Sequence, residues 1–339
     1  ALSAYLDAGG IDNAHGFLEK IADLLNDIDT APPVRPLMRA GLYWPGLVDV
    51  DFDQIRRQWQ GGTPVAALVF YRALMQAGDV APIDCLIEAL RAKGMNPLPL
   101  FGASLKETET AAIIADFLVR ADVDVILNMT SFAVSDPSRM AGAAPVDDQD
   151  IMRSVGPFGA VDAPVFQLVL ASNQQADWQT STAGLTARDL AMNVALPELD
   201  GRILTRAVGF KQPLTKDPVT HAMTTSYVPA DDRAVFVADL VGRWCRLRHL
   251  PNADKKIGFV LANYPNKDGR IANGVGLDTP QSVLDSLVSL QAAGYDFPDL
   301  PASSADLIAE LRKGPTNAGW YGRSCHVHLA KDIYIQFFK

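Results

Sequence analysis

The sequence predicts an α/β protein: a helical N-terminal segment, then a doubly wound parallel-sheet domain, then a second, partial α/β unit. Three observations carry that reading. From Val65 onward, short apolar runs alternate with amphipathic helical stretches, the pattern of a parallel sheet covered on both faces. The first 60 residues carry helical periodicity instead, and a second strand–loop–helix pattern begins near residue 255. With 339 residues, 48% of them hydrophobic and 20% charged, the chain is long and apolar enough for two ordinary folded domains.

Within residues 1–60, Phe17, Ile21, Leu24 and Ile28 recur at helical spacing, with Asn13 placed as an N-cap. APPVRP then breaks the helix and GLYWPG reads as a loop. Residues 61–200 form the first α/β domain. VAALVF reads as a buried strand, and DVAPIDCLIEALRAKG as a helix with Pro82 in its first turn and Gly94 past its end. Ile83, Leu86, Ile87 and Leu90 make its inward stripe. NPLPLFG, VDVILNMT and APVFQLVLAS are further strands, with ETETAAIIADFLVR a helix between the first two. Thr186 and Asp189 make a capping-box-like start to TARDLAMNVA. Residues 201–254 link the domains. Asp200-Gly201 turns between two extended pieces, and a long helix runs from Asp231 to His249 with Val235, Val237, Leu240, Val241 and Trp244 toward its buried side. Residues 255–339 give strand IGFVLA, a glycine loop, a helix from Pro280 capped by Thr279, and another from about Ser304. This unit reads as truncated, and the start, ALSAYLDAGG, lacks both an initiator Met and a signal peptide's basic and apolar regions. The chain is therefore expected to be a processed form or a piece of a longer one.

Thirty basic side chains against 39 acidic ones leave a net charge of −9, which argues against nucleic acid or an anionic membrane as partner. No apolar run reaches the roughly 20 residues that span a bilayer. Three scattered cysteines, Cys85, Cys245 and Cys325, fit a reducing, cytoplasmic setting and exclude a disulfide framework.

The loop NYPNKDGRIANGVG, residues 263–276, invites comparison with phosphate cradles. Gly269 and Gly274 have P-loop spacing, but Val275 and Gly276 stand where Lys and Ser/Thr are required. Gly274 and Gly276 supply two glycines of a dinucleotide fingerprint, and Thr279 occupies the third place. What remains is a polar loop at the carboxyl end of a strand, where open α/β sheets bind ligands. Asn263, Asn266 and Asn273 offer amides, Lys267 and Arg270 offer cationic donors, and Tyr264 offers a flat apolar face. A self-contained Ω-loop accounts for the same residues equally well.

The matching strand ends in the first domain carry Asn128, Thr130 and Ser131, and Tyr71 with Arg72. The Arg72 guanidinium is placed to meet a ligand carboxylate or a neighbouring acid. His326 and His328 share one face of a strand and are weak metal candidates lacking a third ligand; a half-exposed strand face is the alternative. The acids of VDDQD, residues 146–150, read as a solvated helix start. No nucleophile–base constellation is legible.

Several stretches resemble one family. FYRALMQAGDVAPIDCLIEALRAKGMNPLPLF, VILNMTSFAV, ALPELDGRI and above all NYPNKDGRIANGVGLDTP are similar to the large subunit of the cobaltochelatase of aerobic cobalamin biosynthesis, itself homologous to the large subunit of magnesium chelatase. The resemblance runs from about residue 61 to the C-terminus. It implies ATP-dependent insertion of Co²⁺, as substrate, into the corrinoid hydrogenobyrinic acid a,c-diamide. This subunit would bind the tetrapyrrole and no cofactor of its own. An AAA+ ATPase subunit and its accessory subunit would hold ATP and Mg²⁺, which agrees with the absence of a P-loop. The family's HFGTHGxxE motif and the Pro-Gly-Lys element after it are absent from these residues, so the resemblance assigns no catalytic residue and implies an N-terminal portion that is inactive alone. The alternatives are a magnesium chelatase large subunit acting on a porphyrin, a non-catalytic docking module for the AAA+ partners, and a two-lobed binding protein or glycosyltransferase.

Overall fold

Strand β2 explains the architecture. Val65–Tyr71 is apolar on both faces, VAALVFY, and buried through Phe70, as a strand must be when helices cover both sides of its sheet. The computed structural model describes residues 2–135 and 156–338, apart from 265, 298, 317, 318, 320, 321, 324, 326 and 327. The chain divides into two compact units, Ala1–Arg248 and His249–Lys339.

In the first unit, helices α1 (Leu2–Ala8) and α2 (Ile11–Asn26) precede β1 (Ala40–Leu42) and the short α3 (Phe52–Arg56). After β2 come α4 (Arg72–Ala77), α5 (Ala81–Ala92), β3 (Asn96–Gly102), α6 (Thr108–Ala121) and β4 (Val125–Asn128). Beyond residue 155 the order is β5 (Val165–Ala171), α7 (Gln175–Thr180), α8 (Ala187–Leu190), a π-helical turn Ala191–Ala195, α9 (Leu196–Glu198) and β6 (Ile203–Lys211). A small β7–β8 ribbon (Thr215–Lys216, Met223–Thr224), β9 (Tyr227–Pro229) and the long α10 (Asp231–His249) follow.

Seven strands form one sheet in the order β1-β3-β2-β4-β5-β6-β9. The five from β3 to β6 are parallel, with β1 and β9 antiparallel at the edges. Register places Val69 opposite Asn128 and Phe70 opposite Phe101. The core gathers Leu68, Phe70, Leu98, Leu100, Leu127 and Phe166 from the strands. The expected stripe of α5, Ile83, Leu86, Ile87 and Leu90, packs into it together with Ile114 and Leu118 of α6. The expected mixed α/β architecture with a helical N-terminus and a mostly parallel sheet is therefore present.

Several local expectations change. Gly10, not Asn13, stands at the N-cap of α2. Asn13 is buried one turn inside, donating to Gly9 O and Arg35 O and accepting from the Arg35 amide, so a cap-type side chain here ties the helix to a distant loop. Ahead of the Asp200-Gly201 turn the chain is helical, because α9 continues the α8 axis through the π turn. Along α10 the buried side is Ala234, Val237, Ala238, Val241 and Cys245, with Val235 exposed.

The second unit contains α11 (Thr279–Ala292), α12 (Ser304–Lys313) and α13 (Lys331–Phe338). Asp278 rather than Thr279 caps α11, its carboxylate accepting from the Gln281 amide at 3.2 Å. Its core is Val283, Leu287 and Leu307, with Leu261, Phe297 and Leu300 against them. The expected strand at 257–262 does not form among the described residues. Only the Asn263–Ile271 bridge and the Ala272 amide donating to Ala262 O mark its end, and Val260 is 98% exposed. An apolar run supplies strand composition but not the neighbour whose backbone completes a ladder. Residues 146–150 and His326 lie outside the described residues.

Candidate functional site

The strand order places a topological switch point between β2 and β4. The chain passes from β2 outward to β3, then crosses back to β4 on the other side of β2. Loops leaving the carboxyl ends of such a pair diverge and leave a crevice, the habitual ligand position of open α/β sheets. Tyr71, Arg72, Asn128, Thr130 and Ser131 all stand at these two ends.

The structure brings four of them together. Tyr71 Oη accepts from the Ser131 amide at 3.0 Å and donates to Ser131 O at 3.1 Å. Burial raises the Tyr71 phenol above its ordinary pKa, so it stays a neutral donor and acceptor. Asn128 is fully buried; its amide donates to Thr130 O and to Gln167 Oε1, while its carbonyl accepts from Thr130 Oγ1 at 2.9 Å. Asn128 and Thr130 thus frame the loop from beneath rather than line its surface. Arg72 points elsewhere, donating to Met38 O at 2.9 Å and Leu37 O at 2.8 Å. It clamps the segment entering β1 instead of presenting a fork to solvent.

Sequence reasoning missed the groups that complete this network. Gln167, mid-strand in β5, donates to Thr130 O and Leu168 O and accepts from Arg202 at 3.2 Å. Arg202 pairs with Asp200 at 2.7 Å with both side chains at most 2% exposed. Burial lowers the Arg202 pKa and the Asp200 carboxylate opposes that shift. Asp200 in turn accepts from the amides of Val134 and Ser135 and from the Ser135 hydroxyl. The far wall is the π turn: Ser131 Oγ donates to Asn193 Oδ1 at 2.6 Å, Asn193 reaches Asp189, and Asp189 accepts from the amide and hydroxyl of Ser172. One legible signal was a glutamine inside the apolar run VFQLVLA, since a buried polar side chain demands partners.

The π turn has a local cause. Leu196 N–H bonds Ala191 O, one residue further back than an α-helix would place it. Pro197 has no N–H to offer. Met192 O is left without a helical donor and accepts the Phe132 amide at 2.8 Å. Phe132 itself sits at φ 68°, a left-handed conformation that side chains beyond Gly, Asn and Asp adopt rarely.

In the second unit the expected loop is organised from within. Asp268–Arg270 forms one 3₁₀ turn. Asp268 accepts from Thr316 Oγ1 at 2.7 Å and pairs with Arg323, whose guanidinium draws its carboxyl below the usual range. That clamp leaves Tyr264, Asn266, Lys267, Arg270 and Asn273 exposed, with Arg270 touching Asn273 at 3.4 Å. Asn263 instead turns inward: its Oδ1 is buried without a hydrogen-bond partner among the described residues, beside a cavity of about 200 Å³ lined by Phe259, Leu261, Ile271, Leu311 and Thr316.

A cavity of about 310 Å³ in the first unit lies beside the segment Arg72 clamps, lined by Leu37, Leu42, Tyr43, Val50 and Met75 among others. Its buried polar side chains are already engaged, Asn13 by backbone and Tyr43 by Asp84 at 2.6 Å, so it lacks the convergent free polar groups of a specific site. Among the described residues no three His, Cys, Asp or Glu side chains cluster to hold a metal, and His328 is exposed. Burial pushes the thiols of Cys85 and Cys245 up to about 12 and about 11, far from thiolate chemistry. No described helix is long and apolar enough to cross a membrane.

The chain is similar to known proteins along nearly its whole length. The family model described as CobN/Magnesium Chelatase matches residues 3–339. An aerobic cobaltochelatase subunit CobN from Pseudomonas aeruginosa is 41% identical over 98% of this chain, and one from Sinorhizobium sp. is 39% identical over 99%. The chloroplastic magnesium-chelatase protein ChlH from Oryza sativa is 26% identical over 89% of this chain and 22% of its own length. The solved catalytic subunit of cobaltochelatase from Mycobacterium tuberculosis matches with a TM-score of 0.70 and 28% identity, covering 92% of this chain and 25% of that one. The chain spans about a quarter, 26%, of the length of the two CobN relatives. It belongs to the CobN/Magnesium Chelatase family of chelatase subunits.

Proposed function

We propose that this chain is part of the large subunit of an ATP-dependent cobaltochelatase, which inserts Co²⁺ into hydrogenobyrinic acid a,c-diamide. The carrying observation is the gap in similarity: 39–41% identity to aerobic cobaltochelatase subunits against 26% to a magnesium-chelatase protein. In this reading the chain binds the corrinoid, and ATP and Mg²⁺ reside on AAA+ and accessory subunits in the cytoplasm. The site chemistry supports it. The exposed amides and cations of the glycine loop, Asn266, Lys267, Arg270 and Asn273, suit a large ligand fringed with carboxylates and amides.

Titration with hydrogenobyrinic acid a,c-diamide and, in parallel, a free-base porphyrin tests the reading through macrocycle absorbance. Preference for the corrinoid is expected; preference for the porphyrin would transfer the chain to the magnesium branch. The exposed cations of the glycine loop give a sharper test. Lys267→Ala with Arg270→Ala should weaken corrinoid binding by about tenfold, the scale of one charge-assisted hydrogen bond, with thermal stability unchanged. Unaltered affinity would remove this loop from the binding surface.

A further inference from the structure

On the carboxyl side of the switch point one residue holds a strained backbone conformation. Phe132 follows Ser131 at the carboxyl side of β4 with φ 68°, and the residue is 44% exposed. Backbone strain of this kind persists only where the surroundings over-determine it, and such outliers cluster at ligand sites. Here the surroundings do so from both sides. The Ser131 amide is held by Tyr71 Oη, its hydroxyl by Asn193, the Phe132 amide by Met192 O, and the next amides, Val134 and Ser135, by buried Asp200. Met192 and Asn193 belong to the π turn, a second uncommon backbone form that also concentrates at functional sites. Two unusual conformations, hydrogen-bonded to each other, therefore hold the backbone that carries a partly exposed aromatic residue. A partly exposed aromatic forgoes burial it could otherwise gain.

The chemistry around it narrows the ligand. Among the described residues, two guanidiniums beside the loop are committed, Arg72 to the Leu37 and Met38 carbonyls and Arg202 to Asp200, Gln167 and Thr130, so neither offers a free fork to a compact phosphate. On the segments bonded to the loop, Leu190 and Leu199 are also exposed, at 45% and 49%. We propose that Phe132 is the aromatic platform of the switch-point crevice, against which a large flat conjugated macrocycle stacks. This deepens the chelatase reading and rests on it for the macrocycle's identity.

Phe132→Gly separates platform from packing, because glycine adopts a positive φ without strain. In the whole chain, with hydrogenobyrinic acid a,c-diamide and a free-base porphyrin as probes, Phe132→Gly should weaken binding at least tenfold while Tm holds or rises. Phe132→Leu, which keeps apolar bulk but loses the π face, should fall between. Wild-type affinity in Phe132→Gly would overturn the platform and leave the chelatase reading intact. A drop in Tm with Phe132→Gly would also overturn it, by making the ring a packing element. If the wild type takes only the porphyrin and Phe132→Gly loses it, the platform stands and the cobalt reading falls; if the wild type takes neither probe, both fall.

Discussion

Arg202 shows how much of the crevice rests on single side chains. Its guanidinium reaches Asp200, Gln167 and the carbonyl of Thr130, and lies over the Phe158 ring at 5.5 Å. Asp200, its ion-pair partner, holds the amides of Val134 and Ser135. Removing one member of a buried pair leaves the other charged and unsolvated, a loss of about 3–5 kcal/mol. Arg202→Ala should therefore destabilise the first unit by about that amount in urea unfolding, far more than Arg39→Ala, whose pair with Glu107 is partly exposed and of the kind worth about 0–1 kcal/mol. Equal losses for the two would show that Asp200 finds solvent when Arg202 is gone. In sequence, Asp200-Gly201-Arg202 is legible only as a turn, since neither residue type announces burial; its partners come from strands and loops 35 to 72 residues away.

At the level of elements, the helix broken by Ala191–Ala195 links sequence to site through one missing donor. In an α register the Pro197 ring would clash with the Asn193 carbonyl, so the chain takes the wider π register, and because Pro197 has no N–H, Met192 O is free for the Phe132 amide. Pro197→Ala removes the ring clash and so favours the α register, in which Leu196 N–H would claim Met192 O. Hydrogen exchange at the Phe132 amide should then accelerate while amides in the β2–β4 ladder keep their protection. Unchanged exchange would show that the π turn is set by tertiary packing instead. Elements differ in how far their sequence discloses them. β2, β3, β5 and the stripe of α5 are readable because burial on both faces of a sheet, or on one face of a helix, leaves a periodic apolar record. The π turn is not, because its cause is a register choice. The run at 257–262 misleads because strand composition says nothing about whether a pairing neighbour is present. Among the expected site residues, Tyr71 and Ser131 meet, Asn128 and Thr130 support them from below, and Arg72 clamps the approach to β1; position at a strand end is legible, side-chain direction is not.

On the scale of the molecule, the two compact units carry unequal cores. The first, Ala1–Arg248, buries an extended cluster that includes Ile55, Leu68, Phe70, Leu90, Leu118 and Phe166 at essentially zero exposure. In the second, His249–Lys339, the described core cluster is Val283, Leu287 and Leu307, while Ile333, Tyr334, Phe337 and Phe338 of α13 remain exposed. Among the described residues the second unit's buried apolar set, which includes Val283, Leu284, Leu287 and Leu307, is far smaller than the sheet-centred core of the first unit, which has the size at which single domains fold alone. Residues 1–248, expressed separately, should unfold in one cooperative urea transition with near-UV circular dichroism retained beforehand. Residues 249–339 alone should show no cooperative transition, and in the whole chain the region 279–313 should exchange its amides well before the β2–β4 ladder does. A cooperative transition in 249–339, or a collapse of 1–248 without it, would overturn this order of dependence.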